Sequence, residues 1–233
     1  MNKRIVVTGG TKGIGRAIIE KFAANGFEII TCSRNNDDLE ILKNKIEKRY
    51  NTKVYTKMLD ISNNKEVNDF GAYVLSLGGA DVLVNNAGVF IPGQVHEEEE
   101  GVLENMMNTN LYSAYHLTRK IIPEMMKRKN GHVFNICSTA SIMPYVNGGS
   151  YCISKYALLG MTKVLREEMK IHDVKVTAIM PGATFTSSWE GADLPEDRFM
   201  KAEDVAESVY GAYHLSKSAV IEEIIMRPQL GDI

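Results

Sequence analysis

The sequence predicts an α/β protein built on a doubly wound, seven-stranded parallel sheet, and three observations carry that prediction. Short apolar runs alternate with longer amphipathic segments along the whole chain. A glycine-rich stretch, Thr8-Gly9-Gly10-Thr11-Lys12-Gly13-Ile14-Gly15, directly follows the first apolar run and leads into a helical pattern. The 233 residues, 44% hydrophobic and 24% charged, suit one compact domain. That is enough material for a core without disulfide or metal support.

The strands are read at residues 5–7, 28–31, 54–55, 82–84, 132–136, 174–179 and 220–225. Helical patterns fall at about residues 14–25, 38–50, 64–77, 97–128, 150–171 and 202–213. Strand and helix alternating in this way imply parallel strands joined by right-handed crossovers, with helices on both faces of the sheet. No internal repeat, low-complexity tract or Pro/Ser-rich linker divides the chain, so residues 1–233 are expected to form a single domain.

Composition narrows the function. Lys and Arg number 27 against 29 Asp and Glu, a net charge of −2 that lacks the basic surplus of a nucleic-acid binder. The same figures exclude disorder. The longest stretch free of Asp, Glu, Lys and Arg, residues 130–154, is interrupted by Asn, Ser, Gly and Pro and does not read as a membrane span. Cys32, Cys137 and Cys152 show no C-x-x-C spacing, and nothing in the sequence gives Cys137 or Cys152 a reason for activation. They read as packing residues of a protein in a reducing cytoplasm. The run Ile5-Val6-Val7 is too short for a signal peptide, in keeping with that location. The five histidines form no ligand spacing, and Glu97, Glu98, Glu99 and Glu100 read as a solvated helix start favoured by the helix dipole rather than a metal site.

In a sheet of this kind ligands sit beyond the carboxyl ends of the strands, where strand order reverses. After the first strand, Gly9, Gly13 and Gly15 let the backbone turn tightly and approach a phosphate, whose charge suits the free N–H groups of a helix start. The Gly-x₃-Gly-x-Gly spacing departs from the common dinucleotide fingerprint, so this segment alone indicates a nucleotide phosphate site. The second strand ends Thr31-Cys32-Ser33-Arg34, with no acid to accept from a ribose 2′-hydroxyl. Arg34 can instead pair with a 2′-phosphate, with Ser33 adding a hydroxyl and Lys12 a second cation. NADP is therefore favoured over NAD.

Further along lie Asn85-Asn86-Ala87-Gly88 after the fourth strand, Ser138 after the fifth, Tyr151-Cys152-Ile153-Ser154-Lys155, and Pro181-Gly182 after the sixth. With the glycine loop, this series resembles the short-chain dehydrogenase/reductase family over almost the whole chain, and implies its Rossmann-like fold. The residues themselves make chemical sense. Tyr151 and Lys155 are four apart and share a helix face. An adjacent ammonium, with the positive nicotinamide of an oxidised cofactor, favours a phenolate over the phenol. Tyr151 could then give a proton to a carbonyl oxygen or take one from an alcohol. Ser138 would hydrogen-bond the same oxygen and place it near the hydride.

The resemblance implies more. Lys155 would also hold the nicotinamide ribose, and Asn110 would kink its helix and hold a water in a proton relay to Lys155. Asp60 would contact adenine, Asn86 would support the adenosine pocket and Thr186 would hold the carboxamide. Gly9, Thr11, Gly13, Ile14, Gly15, Ile61, Ala87, Gly88, Tyr151, Pro181, Gly182 and Thr184 would complete the cofactor-binding set. A homodimer or homotetramer through the helices near residues 97–128 and 150–171 is also implied.

The substrate side is read from the segment after Thr186, expected to form a lid. Trp189, the sole tryptophan, would supply an aromatic substrate wall, and Glu190, Asp193, Glu196 and Asp197 would make its rim acidic. The Trp189 segment and the C-terminus resemble the bacterial sepiapterin-reductase-like branch, which favours a small free carbonyl compound. The alternatives are a 3-oxoacyl-[acyl-carrier-protein] reductase, with Lys127-Arg128-Lys129 as carrier dock, and a non-catalytic NADP-binding redox sensor. An acidic rim would repel an acidic carrier, and the intact Tyr151 and Lys155 argue against a sensor.

Overall fold

The computed structural model describes residues 3–186 and 194–233. Seven strands form one sheet: β1 (Arg4–Thr8), β2 (Glu28–Ser33), β3 (Val54–Met58), β4 (Val82–Asn85), β5 (Gly131–Ile136), β6 (Val174–Pro181) and β7 (Glu223–Met226). They run in the order β3-β2-β1-β4-β5-β6-β7, parallel at every pairing. The chain moves outward from β1 to β3, then crosses back to β4. The carboxyl ends of β1 and β4 thus face each other across the point where strand order reverses.

Both faces of the sheet are covered, so the strands are apolar on both sides. On one face Ile5, Val7 and Val84 pack with Ile18 and Phe22 of α1 (Gly13–Ala23), Leu42 and Ile46 of α2 (Asn36–Tyr50), and Val205 and Val209 of α7 (Ala202–His214). On the other, Val6, Leu83 and Val133 meet Val67 and Phe70 of α3 (Asn64–Ser76), Leu117 and Ile121 of α5 (Ser113–Arg128), and Met169 of α6 (Gly149–Met169). The strict alternation of Ile5, Val6 and Val7 between the two clusters is the period-two geometry of a strand.

Three expectations need correction. The helix expected over residues 97–128 is a short α4 (Val102–Met107), one wide π-helical turn (Asn108–Tyr112) and then α5. The four glutamates precede α4, so they do not start a helix, and Glu98 alone among them is partly buried. The last strand begins at Glu223 rather than 220. The earlier Ile221 contributes its carbonyl to the Thr177 hydroxyl, 2.6 Å away, rather than entering the strand.

Helix starts differ in a way that matters for the site. Asn35 and Asn63 cap α2 and α3, their side-chain oxygens accepting from Asp37 and Asp38 and from Lys65 and Glu66. At α1 the N-cap is Lys12, whose side chain makes no capping bond, and the first turn holds no acid. Among the described residues no helix is long and apolar enough to cross a membrane.

Candidate active site

The glycine loop after β1 is shaped by close packing. A Cβ on Gly15 would lie 2.5 Å from both Asn86 Nδ2 and Gly9 O, and one on Gly10 would lie 2.2 Å from Ile19 Cδ1. Gly9 and Gly13 hold φ of +65° and +52°, where a side chain is strained. Thr186 lies over the loop, its Cγ2 only 3.0 Å from where a Gly13 Cβ would be. A dinucleotide phosphate fits this cradle: uncapped helix N–H groups, no acid in the first turn, and a backbone bare of side chains.

Thr11 and Ser33 touch at the edge of the cradle, and the Arg34 charge reaches Asp60. Thr11 Oγ1 contacts Ser33 Oγ at 3.5 Å, and Leu59 N–H donates to Ser33 O at 3.0 Å. Arg34 is exposed. Lys12 Nζ pairs with Asp38 at 3.5 Å, a loose surface contact worth little. Asp60 accepts from the Ser62 N–H and hydroxyl. That N–H above all, with the hydroxyl and the Arg34 charge, holds its carboxyl below the usual range. Ile61 packs its side chain against the α3–α5 core.

The loop after β4 is tied to the cradle by Thr8, a residue that sequence reasoning passed over although it immediately precedes the glycines. Its hydroxyl accepts from the N–H groups of Asn86 and Ala87, at 3.0 and 2.9 Å. Asn86 Nδ2 returns bonds to Thr8 O and Gly9 O. Beneath it the first asparagine, Asn85, joins a buried chain of amides. Asn85 donates to Thr118 and Asn135, and Asn135 donates to Thr162.

Tyr151, Lys155 and Asn110 come together beyond the strand ends, and Ser138 lies two residues past Ile136, whose carbonyl Lys155 engages. Lys155 is 5% exposed; its ammonium donates to Ile136 O at 2.9 Å and lies 5.8 Å from the Tyr151 ring centre. Ser138 is buried, its hydroxyl accepting from Ala140 N–H at 3.1 Å. Gly88 adjoins both partners, since a Cβ there would lie 3.2 Å from Asn110 Oδ1 and 3.6 Å from Lys155 Nζ. The expected kink at Asn110 is the π-helical turn, which holds it at its centre. The Asn110 amide accepts from Val89 N–H and donates to Val89 O and Ser154 Oγ, so its side chain is committed to those two residues.

Phe90 was not foreseen. Its ring meets Tyr151 edge-on, with centres 4.9 Å apart. Only the fold brings residues 90 and 151 together, so nothing local in the sequence signals the contact. Thr184 is buried, and its hydroxyl donates to Gly182 O at 3.1 Å. Gly182 and Pro181 lie at the β6–β7 end, where Gly182 N–H donates to Met226 O. Burial pushes the Cys137 thiol up to about 11 and the Cys32 thiol up to about 12, in keeping with packing roles. Trp189, Glu190 and Asp193 lie outside the described residues; Glu196 and Asp197 are exposed. Among the described residues no group of three His, Cys, Asp or Glu could hold a metal.

Comparison with known proteins decides the family, since the short chain dehydrogenase model matches residues 3–196. The chain belongs to the short-chain dehydrogenases. It is 34% identical to a sepiapterin reductase of Chlorobaculum tepidum, over 100% of this chain and 99% of that protein. Among solved structures it is similar to a metagenomic short-chain oxidoreductase in complex with NADP, with a TM-score of 0.85, 29% identity and 97% of each chain covered. It is also similar to the L-sorbose reductase of Gluconobacter frateurii, complexed with NADPH and L-sorbose. That match has a TM-score of 0.89 and 25% identity, covering 96% of this chain and 94% of that one. As a short-chain dehydrogenase, the protein is an oxidoreductase on a doubly wound α/β fold.

Proposed function

We propose that this short-chain dehydrogenase is an NADPH-dependent reductase of a small, free carbonyl compound, reversible, with Tyr151 as proton donor and acceptor. The observation that carries the reading is Lys155, a buried cation held by one backbone carbonyl beside Tyr151, at the strand ends that border the glycine cradle. NADPH, when bound, supplies the hydride. The glycine loop with Thr11 and Ile14 would hold its phosphates, and Lys12, Ser33 and Arg34 its 2′-phosphate. Asp60 and Ile61 would face its adenine. Asn86, Ala87 and Gly88 would line its adenosine side, and Pro181, Gly182 and Thr186 its nicotinamide end.

The protein's own residues divide the remaining work. Ser138 fixes the carbonyl oxygen by a hydrogen bond, and Tyr151 transfers the proton to it. Lys155 has three donors and spends one on Ile136 O; its charge favours the phenolate left behind. Because the Asn110 side chain is committed to Val89 and Ser154, its part in a proton relay falls to its backbone carbonyl. Thr184, which braces the loop through Gly182 O, would join Thr186 among the cofactor-binding residues.

A sepiapterin-like substrate class is favoured by the likeness to the Chlorobaculum protein and by apolar side chains near the site. Phe90, Ile142, Met143 and Phe185 are all partly exposed. A protein carrier is disfavoured by position. Lys127-Arg128-Lys129 lies at the end of α5 leading into the start of β5, whereas Ser138 follows the end of that strand. Arg128 is moreover engaged with Asp81 and Ala80 O. Tyr112, Tyr115, Ile153 and Tyr156, exposed along the π turn, α5 and α6, favour a homo-oligomer through those helices.

The test is NADPH oxidation against a diketone, sepiapterin, an aromatic aldehyde and an acetoacetyl thioester, each repeated with NADH. Turnover of free carbonyls with NADPH is expected. Preference for the thioester would move the substrate to the carrier class, and NADPH binding without any turnover would favour a sensor.

A further inference from the structure

The four consecutive glutamates find no use in the reaction as described, yet they differ sharply from one another. Glu97, Glu99 and Glu100 are exposed, while Glu98 turns inward. Its carboxylate reaches the first turn of α6, 52 residues away in sequence. Oε1 accepts the Ser150 N–H at 2.8 Å, and Oε2 takes a short bond from the Ser150 hydroxyl. Two glycines make room for it. A Cβ on Gly149 would lie 2.1 Å from Glu98 Oε1, and one on Gly93 would lie 2.7 Å from Glu98 Cγ. Gly93 N–H also donates to Asn147 O at 3.0 Å, fastening the segment before α4 to the segment before α6.

The first N–H groups of a helix have no partner within it, and a helix end without a cap frays. The N-cap of α6 is Gly148, which has no side chain to offer. Glu98 supplies the missing acceptor from elsewhere in the chain, and a charged acceptor makes one of the stronger hydrogen bonds. Ser150 immediately precedes Tyr151. One turn later the Ser154 hydroxyl donates to Tyr151 O at 2.8 Å and accepts from Asn110. The turn bearing the phenol is therefore pinned at both ends, by Glu98 before it and Asn110 after it.

We infer that Glu98 is a positioning residue for Tyr151, fixing the first turn of α6 as a hydrogen-bond acceptor and so setting where the phenol points. The inference rests on the reductase reading above. Misplacing a reacting group by about 1 Å can cost about 100-fold in rate, while the cofactor cradle, on α1 and β1, is untouched. The signature is therefore a loss in kcat with little change in the KM for NADPH.

Glu98→Ala, Glu98→Gln and the exposed control Glu99→Gln are to be compared with wild type in NADPH-dependent diacetyl reduction and in amide hydrogen exchange at residues 149–155. Glu98→Ala is expected to lose about 30-fold in kcat, within the range a misplaced group costs. Its KM for NADPH should stay within about twofold, with exchange at Ser150 and Tyr151 at least about tenfold faster. Glu98→Gln, which keeps an acceptor oxygen, should stay within about threefold of wild type in both readouts. Three results would overturn the inference: unchanged exchange in Glu98→Ala, faster exchange with undiminished kcat, or losses in kcat and cofactor binding that simply follow a fall in Tm. Absent turnover by wild type would instead refute the reductase reading, and the exchange data would still decide whether Glu98 anchors the turn.

Discussion

Buried polar groups lie at both ends of this sheet, and they are satisfied differently. At the carboxyl end of β5, the Lys155 ammonium is held by one carbonyl and lies close to Asn110 and Tyr151. At the amino end of β5, His132 is just as buried but closed in. Its ring stacks on Phe134 with centres 3.8 Å apart, and Nε2 lies 2.8 Å from Thr177 Oγ1. Because the Thr177 hydroxyl gives its proton to Ile221 O, the histidine must donate through Nε2–H. That leaves Nδ1 as a bare acceptor with no partner among the described residues. Burial, with the Lys175 charge adding to it, pushes this imidazole down to about 3. On the proposed reading one end keeps donors for a ligand, whereas the other spends its donor on the fold. Disturbing the first should cost rate, and disturbing the second should cost stability.

Lys155→Met tests the proposed catalytic end. Removing the cation while keeping an apolar stem should lower kcat/KM by about 1,000-fold, the scale of a lost proton-transfer and charge-stabilising partner. Thermal melting should move by only a few degrees, since Ile136 O alone loses a donor. A large fall in Tm with residual activity in the surviving protein would erase the contrast.

His132→Phe sharpens it from the other side. The native state holds this imidazole neutral down to about pH 3, whereas the unfolded chain takes up a proton near its ordinary pH 6.5. Between those values the unfolded state binds more protons, so the contribution is complete above about pH 6.5 and is lost progressively as pH falls. Urea melts from pH 7 to pH 4 should show wild type losing about 3 kcal/mol more than His132→Phe. Activity at pH 7 should stay within about twofold of wild type. Parallel acid limbs in the two proteins would remove His132 from the account.

The smallest effect belongs to the exposed corner of the cofactor cradle, where Arg34 has no burial to strengthen it. Arg34→Ala should raise the KM for NADPH about tenfold, one charge-assisted contact, and leave the KM for NADH within about twofold. Equal losses with both cofactors would mean that Arg34 does not read the 2′-phosphate.

Much of this was legible in the sequence, and the omissions have a common cause. The seven apolar runs, the glycine loop, and the Tyr151–Lys155 spacing are local patterns, and local patterns survive in a sequence. The break of residues 97–128 into α4, a π turn and α5 was less visible. An amphipathic period continues through it, and only the resemblance singled out Asn110. The glutamate run misled because helix-dipole reasoning considers a segment alone, while Glu98 answers to Ser150 52 residues away. Thr8, Phe90 and Ser154 join the site in the same way, through partners that only the fold brings near. His132 carries no mark that it is buried, neutral and without a site of its own.

If Tyr151 moves the proton while the cradle holds NADPH independently of it, Tyr151→Phe separates the two, with NADPH affinity measured by fluorescence titration and single-turnover reduction measured on the best carbonyl of the panel. The expected result is a Kd within about threefold of wild type and a rate lower by about 1,000-fold or more. A variant that binds NADPH and still reduces the carbonyl at near wild-type rate would contradict it.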